Sequence, residues 1–133
     1  MMLLDTHAWL EWCLKPEVLP SALRTVLASL DQSVAISVMS CYECALLVER
    51  ERVALPIPIE EWMPQAIAEN RLRVLPATPQ LTIRAAQLPQ IHRDPWDRLI
   101  IATALEYDAF LVTRDRTIPL YPDIRVFWEQ MPI

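Results

Sequence analysis

The chain has 133 residues, 53% of them hydrophobic, and a formal net charge of −5. That is one domain's length with apolar mass enough for a substantial core, which excludes a disordered tail, and the acidic balance excludes nucleic-acid binding through bulk positive charge. No apolar run approaches the ~20 residues of a membrane span, the start "MMLLDTHAWLEWCL" has no basic leader, and three cysteines, an odd number, point to reduced thiols in the cytoplasm.

In chain order, Met2 to Leu4 reads as a short strand, and Asp5 follows it directly. Ala8 to Leu14 reads as a helix. The stretch "HAWLEWCL" is apolar nearly all round, with Glu11 its clearest polar position. It is either a core helix packed on two sides or a helix that leaves a groove for a partner helix or a dimer face. A helix over Ser21 to Leu30 and a strand over Val34 to Ser37 come next.

The strand leads into a helix over Val38 to Arg52, which carries Glu43 among Met39, Cys41, Cys44, Leu46 and Leu47. A carboxylate in such surroundings is costly to bury unless it is paired or bound to a cation; the plainer reading is an exposed stripe or an arginine partner. Cys41 and Cys44 form a C-x-x-C, but they bracket Glu43 inside one helix and no second pair exists, which argues against zinc or redox chemistry. Glu49 to Arg52 form a solvated helix end.

A helix over Ile59 to Glu69, a strand over Leu72 to Leu75 and a helix over Gln80 to Gln87 are joined by the proline-containing stretches "LPIPIE" and "LPATPQ". Then comes "HRDPWDRLIIATAL". Asp94 before Pro95 is a strong N-cap signal for a helix over Pro95 to Tyr107. Asp97 falls three residues after the cap, where an acid can reach back to the cap's own N–H and suits the helix dipole. Arg98, four residues after Asp94, is spaced to pair with it. Phe110 to Thr113 and Arg125 to Phe127 read as strands, with Asp115 two residues beyond the first of them. Glycine is absent, so the twelve prolines and residues such as Asn70 and Asp108 must provide the turns.

Strands alternating with helices indicate a single α/β domain over residues 1–133 with a mainly parallel sheet of about five strands. Ligands of such sheets bind beyond the carboxyl ends of the strands, and that rule gives Asp5, Glu43, Asp97 and Asp115 one address. Carboxylates at a few ångströms repel unless a cation intervenes. Mg²⁺ or Mn²⁺ suits oxygen ligands, and such an ion polarises a phosphate oxygen and activates water, so the pattern favours metal-assisted phosphodiester cleavage. Eleven of the twelve basic residues are arginine, which serves bidentate phosphate contact and structural ion pairs equally well.

"LLDTHAWLEW", "ISVMSCYECALLVERERV", "HRDPWDRLIIATAL" and "FLVTRD" together resemble, in order and spacing, the motifs of PIN-domain proteins, in particular the VapC-type ribonuclease toxins of bacterial toxin–antitoxin modules. The likeness runs from about Leu3 to Trp128. It implies a three-layer α/β/α fold and an endoribonuclease in which Asp5, Glu43, Asp97 and Asp115 hold Mg²⁺ or Mn²⁺ and metal-activated water cuts RNA. Thr113 matches a polar position near that site, and Thr6 is a weaker candidate. The resemblance also implies a homodimer and a cognate antitoxin whose tail occludes the acids. Glu51 and Asp108 stand at turns where the family often has glycine.

The alternative is a catalytically silent PIN-like domain that works by binding a protein. His7 and His92 read as local hydrogen-bonding residues, there being no serine or cysteine nucleophile motif beside them. A receiver or phosphatase reading of the aspartates expects a lysine after a late strand, and the chain has only Lys15.

Overall fold

Met2 and Leu4 point to one face of the first strand and Leu3 to the other, and all three are fully buried. A strand apolar on both faces needs cover on both sides, which is the mark of a parallel sheet between helical layers. The computed structural model describes residues 1–129. Its strands are β1 (Met2–Leu4), β2 (Val34–Ser37), β3 (Arg73–Leu75), β4 (Phe110–Val112) and β5 (Arg125–Phe127), and its helices α1 (Thr6–Leu14), α2 (Ser21–Ala28), α3 (Val38–Glu49), α4 (Ile59–Glu69), α5 (Pro79–Gln87) and α6 (Pro95–Glu106). The sheet runs β3-β2-β1-β4-β5 with every neighbouring pair parallel.

Met2, Leu4, Val34 and Ile36 meet Trp9 of α1, Leu23 of α2 and Trp62 of α4 on one face. On the other, Leu3, Ala35 and Leu111 meet Ile100, Ile101 and Ala104 of α6. The expected three-layer arrangement is thus present, with five strands. Trp9 is wholly buried, 5.8 Å from the Trp62 ring, and Trp12 is partly buried against the same cluster, so both tryptophans of α1 serve one core. Among the described residues no helix is long and apolar enough to cross a membrane.

Element ends differ from the sequence reading for local reasons. Helix α1 begins at Thr6 and not Ala8, because the Asp5 carboxylate accepts the Ala8 N–H at 2.8 Å and caps the helix. Helix α2 stops at Ala28, short of Leu30, where Ser29 turns extended. Helix α3 stops at Glu49, short of Arg52, because Glu51 takes a left-handed conformation with φ 58°.

That last turn recurs, and it shows how a chain without glycine ends its helices. After α3, the Arg52 N–H donates to Leu47 O and Glu51 N–H to Val48 O; after α4, Leu72 N–H donates to Ile67 O and Arg71 N–H to Ala68 O; after α6, Ala109 N–H donates to Ala104 O and Asp108 N–H to Leu105 O. All three are Schellman closures, with Glu51, Arg71 and Asp108 at φ 58°, 51° and 50° where glycine is usual. The turn after α4 uses Arg71 and not Asn70, whose φ is −93° and whose side chain instead donates to Ala66 O.

A Cβ in the left-handed region costs ~1–2 kcal/mol, part of which a glycine loses again through its freer unfolded chain. Arg71 is exposed and is the simplest of the three to test. Arg71→Gly is expected to stabilise the fold by about 0.5–1 kcal/mol, raising the melting temperature by about 2–4 °C. A calorimetric scan showing a lower melting temperature would mean that the Arg71 side chain contributes more than its backbone strain costs.

Candidate active site

From β1 the chain winds outward through β2 and β3, then returns to pair β4 with the other edge of β1. The switch point between β1 and β4 leaves a crevice at their carboxyl ends, where open parallel sheets bind ligands. Asp5 leaves β1 there, and Thr113 and Asp115 leave β4. The crevice is a cleft of about 280 Å³ lined by Asp5, His7, Asp97, Arg114, Asp115 and Trp128.

Asp5 is 9% exposed and serves two structures at once, capping α1 and facing the cleft. The Thr113 hydroxyl accepts the Asp115 N–H at 3.1 Å and its side chain favours the charged form of Asp5, so one buried threonine links the segments that follow the two central strands. Asp115 is fixed further by the Thr117 N–H, which donates to its Oδ1 at 2.7 Å. Asp97 enters from the first turn of α6.

Glu43, on α3, stands at the margin: its Oε1 accepts from the Thr6 hydroxyl at 2.5 Å, and Thr6 also shares a hydrogen bond with Ser40 at 3.0 Å. It is close enough to Asp97 for their charges to repel. The tightest group in the cleft is not the four acids but His92, Asp97 and Asp115, each with a polar atom within 4.8 Å of the others. His92 Nε2 lies 2.9 Å from Asp115 Oδ2 and 3.2 Å from Asp97 Oδ2.

Burial pushes the Asp97 carboxyl up to about 7, with repulsion from Asp94, Asp5 and Glu43 acting the same way and His92 against it. Burial also raises Asp5, despite its bonds from Thr113 and the Ala8 N–H. For Asp115 burial acts upward too, but the bonds from His92 and the Thr117 N–H outweigh it and hold the group below the usual carboxylate range. The cleft therefore has oxygen donors in excess and too little positive charge beside them. That donor set fits a hard divalent cation such as Mg²⁺ or Mn²⁺.

The sign of the Asp97 shift gives a stability prediction. A carboxyl that releases its proton near 7 when folded and near 3.8 when unfolded makes the folded state the tighter proton binder between those values, so stability falls as pH rises through that window. Asp115, shifted down, acts with the opposite sign only in more acidic solution. Thermal melts in EDTA are expected to give a higher midpoint at pH 5 than at pH 8, and Asp97→Asn is expected to reduce that slope, leaving the part that the raised Asp5 carboxyl contributes with the same sign. An equal slope in the variant would place the linkage elsewhere.

Two pairings read from the sequence are not formed. Asp97 does not return to the Asp94 N–H, which donates instead to His92 Nδ1 at 3.1 Å; Asp94 does cap α6, accepting the Trp96 N–H at 2.9 Å. Arg98 does not pair with Asp94. Its guanidinium is buried and donates to the carbonyls of Ala85, Leu88 and Pro89 at 2.8–2.9 Å, with longer bonds to Ala86 O, His92 O and the Tyr121 hydroxyl. The helical i to i+4 spacing describes an exposed surface, and this side of α6 faces the chain that follows α5.

His92 is in the cleft because of that same chain, so no spacing rule linked it to the acids. Arg114 was likewise not singled out in the sequence; it pairs with Glu11 and lies over the Trp128 ring at 5.2 Å. Burial pushes the Cys44 thiol up to about 11 and raises Cys41 as well, which leaves both protonated and suits neither metal binding nor redox exchange.

An all-parallel sheet covered on both faces, with acids gathered at its switch point, is the architecture of the PIN-like α/β/α class. The PIN domain family profile matches residues 2–123. Ribonuclease VapC22 of Mycobacterium tuberculosis is 38% identical over 118 residues, 88% of each chain. The chain belongs to the PIN-domain family. Among solved structures, VapBC2 from Rickettsia felis bound to a DNA fragment from its promoter superposes with a TM-score of 0.70 at 18% identity, over 96% of this chain and 98% of that one. DNA-bound VapBC from Salmonella typhimurium superposes with a TM-score of 0.70 at 22% identity, over 95% and 96%. At these identities the likeness to the solved structures is one of fold.

Proposed function

We propose that the chain is a metal-dependent endoribonuclease, the toxin of a toxin–antitoxin pair, which works in the cytoplasm as a homodimer and is silenced by its cognate antitoxin. The observation that carries this reading is the meeting of Asp5, Asp97 and Asp115 at the β1/β4 switch point, with Asp97 strained as a free carboxylate. The extended identity to a relative named a ribonuclease, and the shared fold of toxin–antitoxin complexes, support it.

In this reading Asp5, Glu43, Asp97 and Asp115 hold Mg²⁺ or Mn²⁺. A divalent ion bound there supplies polarisation of a phosphate oxygen and activation of water for in-line hydrolysis. The chain's own part is to set the donors before the ion arrives. Thr113 fixes the backbone of Asp115 and favours the charged form of Asp5, and Thr6 donates to Glu43. Asp97 must give up its proton for the ion to be held. Arg114, more than half exposed at the rim, presents a guanidinium to a backbone phosphate, which offsets locally a chain whose net charge is −5.

The test is incubation of purified, antitoxin-free protein with a pool of structured RNAs carrying exposed loops. Cleavage with Mg²⁺ or Mn²⁺ is expected, stopped by EDTA and by the cognate antitoxin. Intact RNA under both ions would contradict the enzyme and favour a silent binding domain.

A further inference from the structure

His92 is the member of the cleft that the four acids do not explain. Its backbone is held from both sides: its N–H donates to the Tyr121 hydroxyl at 2.7 Å, and its carbonyl accepts from the buried Arg98 guanidinium at 3.3 Å. Its side chain is 16% exposed, with Asp97 and Asp115 at one end of the ring and the start of α6 at the other. Grouped by distance alone, it is a third ligand for an ion shared with Asp97 and Asp115.

The hydrogen bonds argue otherwise. Nδ1 lies 3.1 Å from the Asp94 backbone N–H, a group that can only donate, so Nδ1 must present its lone pair. The ring proton then sits on Nε2 and points at Asp115 Oδ2 at 2.9 Å, with Asp97 Oδ2 at 3.2 Å as the secondary acceptor. Turning the ring over would set carbon against the Asp94 N–H and against Asp115, losing both bonds. Histidines that bind metal show the reverse arrangement: one nitrogen gives its lone pair to the ion while the other donates its proton to an oxygen. Here the nitrogen away from the acids faces a donor, so Nε2 has no lone pair to offer.

We propose that His92 is a positioning residue and not a metal ligand: with its tautomer locked by the Asp94 N–H, it donates from Nε2 to Asp115 and Asp97, draws the two carboxylates together before an ion binds, and stays outside the coordination shell afterwards. The inference rests on the reading of the cleft as a divalent-cation site. It gives the "HRDPWD" segment a single purpose, since the residue that caps α6 also fixes the ring that sets two acids of the site. Arg98 and Tyr121 fix the backbone from which the ring projects.

The test joins one spectroscopic and one binding measurement. Long-range proton–nitrogen correlation spectra of the ¹⁵N-labelled parent are expected to show His92 with its proton on Nε2 and a bare Nδ1, both metal-free and with saturating Mg²⁺. Calorimetric titration with Mn²⁺ is expected to give an affinity lower by about tenfold or more for His92→Ala, in line with the loss of groups that orient ligands. His92→Gln, whose amide N–H can reach the same carboxylates, is expected to stay within about threefold of the parent. Circular dichroism on both variants separates this effect from loss of fold, and the spectra of the parent do not depend on any variant folding.

A proton on Nδ1, loss of the Nε2 proton on adding Mg²⁺, or unchanged Mn²⁺ affinity in a folded His92→Ala would overturn the role assigned to His92 while leaving the nuclease reading intact. A parent that binds no Mn²⁺ would sink the metal-site reading, and the His92 proposal with it.

Discussion

Asp97→Asn is expected to lower RNA cleavage by at least about a hundredfold, equivalent to ~2.7 kcal/mol in the barrier, while the metal-free protein becomes more stable at pH 8. Both effects follow from one fact. Asp97 is a carboxylate that burial and the neighbouring Asp94, Asp5 and Glu43 hold up to about 7, so its charge is costly in the empty cleft and useful only to a cation. The amide keeps the shape of the side chain and removes the charge. Asp97 does not cap α6, which is the work of Asp94, so the cap of the helix is kept. Cleavage rates and melting curves on the same preparation check the pair of effects. A variant that cuts RNA as well as the parent would remove Asp97 from the site.

Arg98→Ala is expected to cost about 3 kcal/mol or more, lowering the melting temperature by about 10 °C. The guanidinium is 8% exposed, and its partners among the described residues are neutral oxygens: five backbone carbonyls from Ala85 to His92 and the Tyr121 hydroxyl. Removing it takes a donor from carbonyls at the end of α5 and in the chain that follows, of which only Ala85 O and Pro89 O keep a backbone N–H among the loop and cap bonds. Arg98→Lys is expected to recover only part of the loss, because an ammonium offers three donors without the planar fork. Denaturant unfolding measures both. Since the same bonds fix the backbone of His92, a folded Arg98→Lys protein should also bind Mn²⁺ more weakly. Wild-type stability in Arg98→Ala would mean that water replaces these bonds without penalty.

The contrast between Asp97 and Arg98, neighbours in the chain, shows what could be read from the sequence. Asp5 and Asp115 were legible because each ends a short apolar run that reads as a strand, and the rule for open parallel sheets places strand ends together. Thr113 gained its place from the family motif, and its hydroxyl accepts the Asp115 backbone N–H while its side chain favours the charged form of Asp5. Arg98 was not legible: the i to i+4 rule assumes a solvated helix surface, whereas its partners lie 6 to 23 residues away, at the end of α5, in the chain that follows it and at Tyr121, a path that local pattern does not specify. His92 was hidden for the same reason, since its contact with Asp115 spans 23 residues.

The helix ends divide in the same way. Asp108 is the kind of residue that tolerates a left-handed turn, and it occupies one; Arg71 does so against its own preference, because the Schellman closure after α4 requires that position whatever side chain it bears. Asp5 as a cap was missed because a strand end and a helix start share the residue.

The nuclease reading requires that the cleft between β1 and β4 hold a divalent cation. Calorimetric titration of the purified, metal-free protein with Mn²⁺ tests it most directly, beside Asp97→Asn and Asp5→Asn, the latter still able to cap α1. Saturable binding by the parent is expected, weakened about tenfold or more by each substitution. No binding at millimolar Mn²⁺, with or without a non-cleavable RNA present, or binding that neither substitution disturbs, would contradict it.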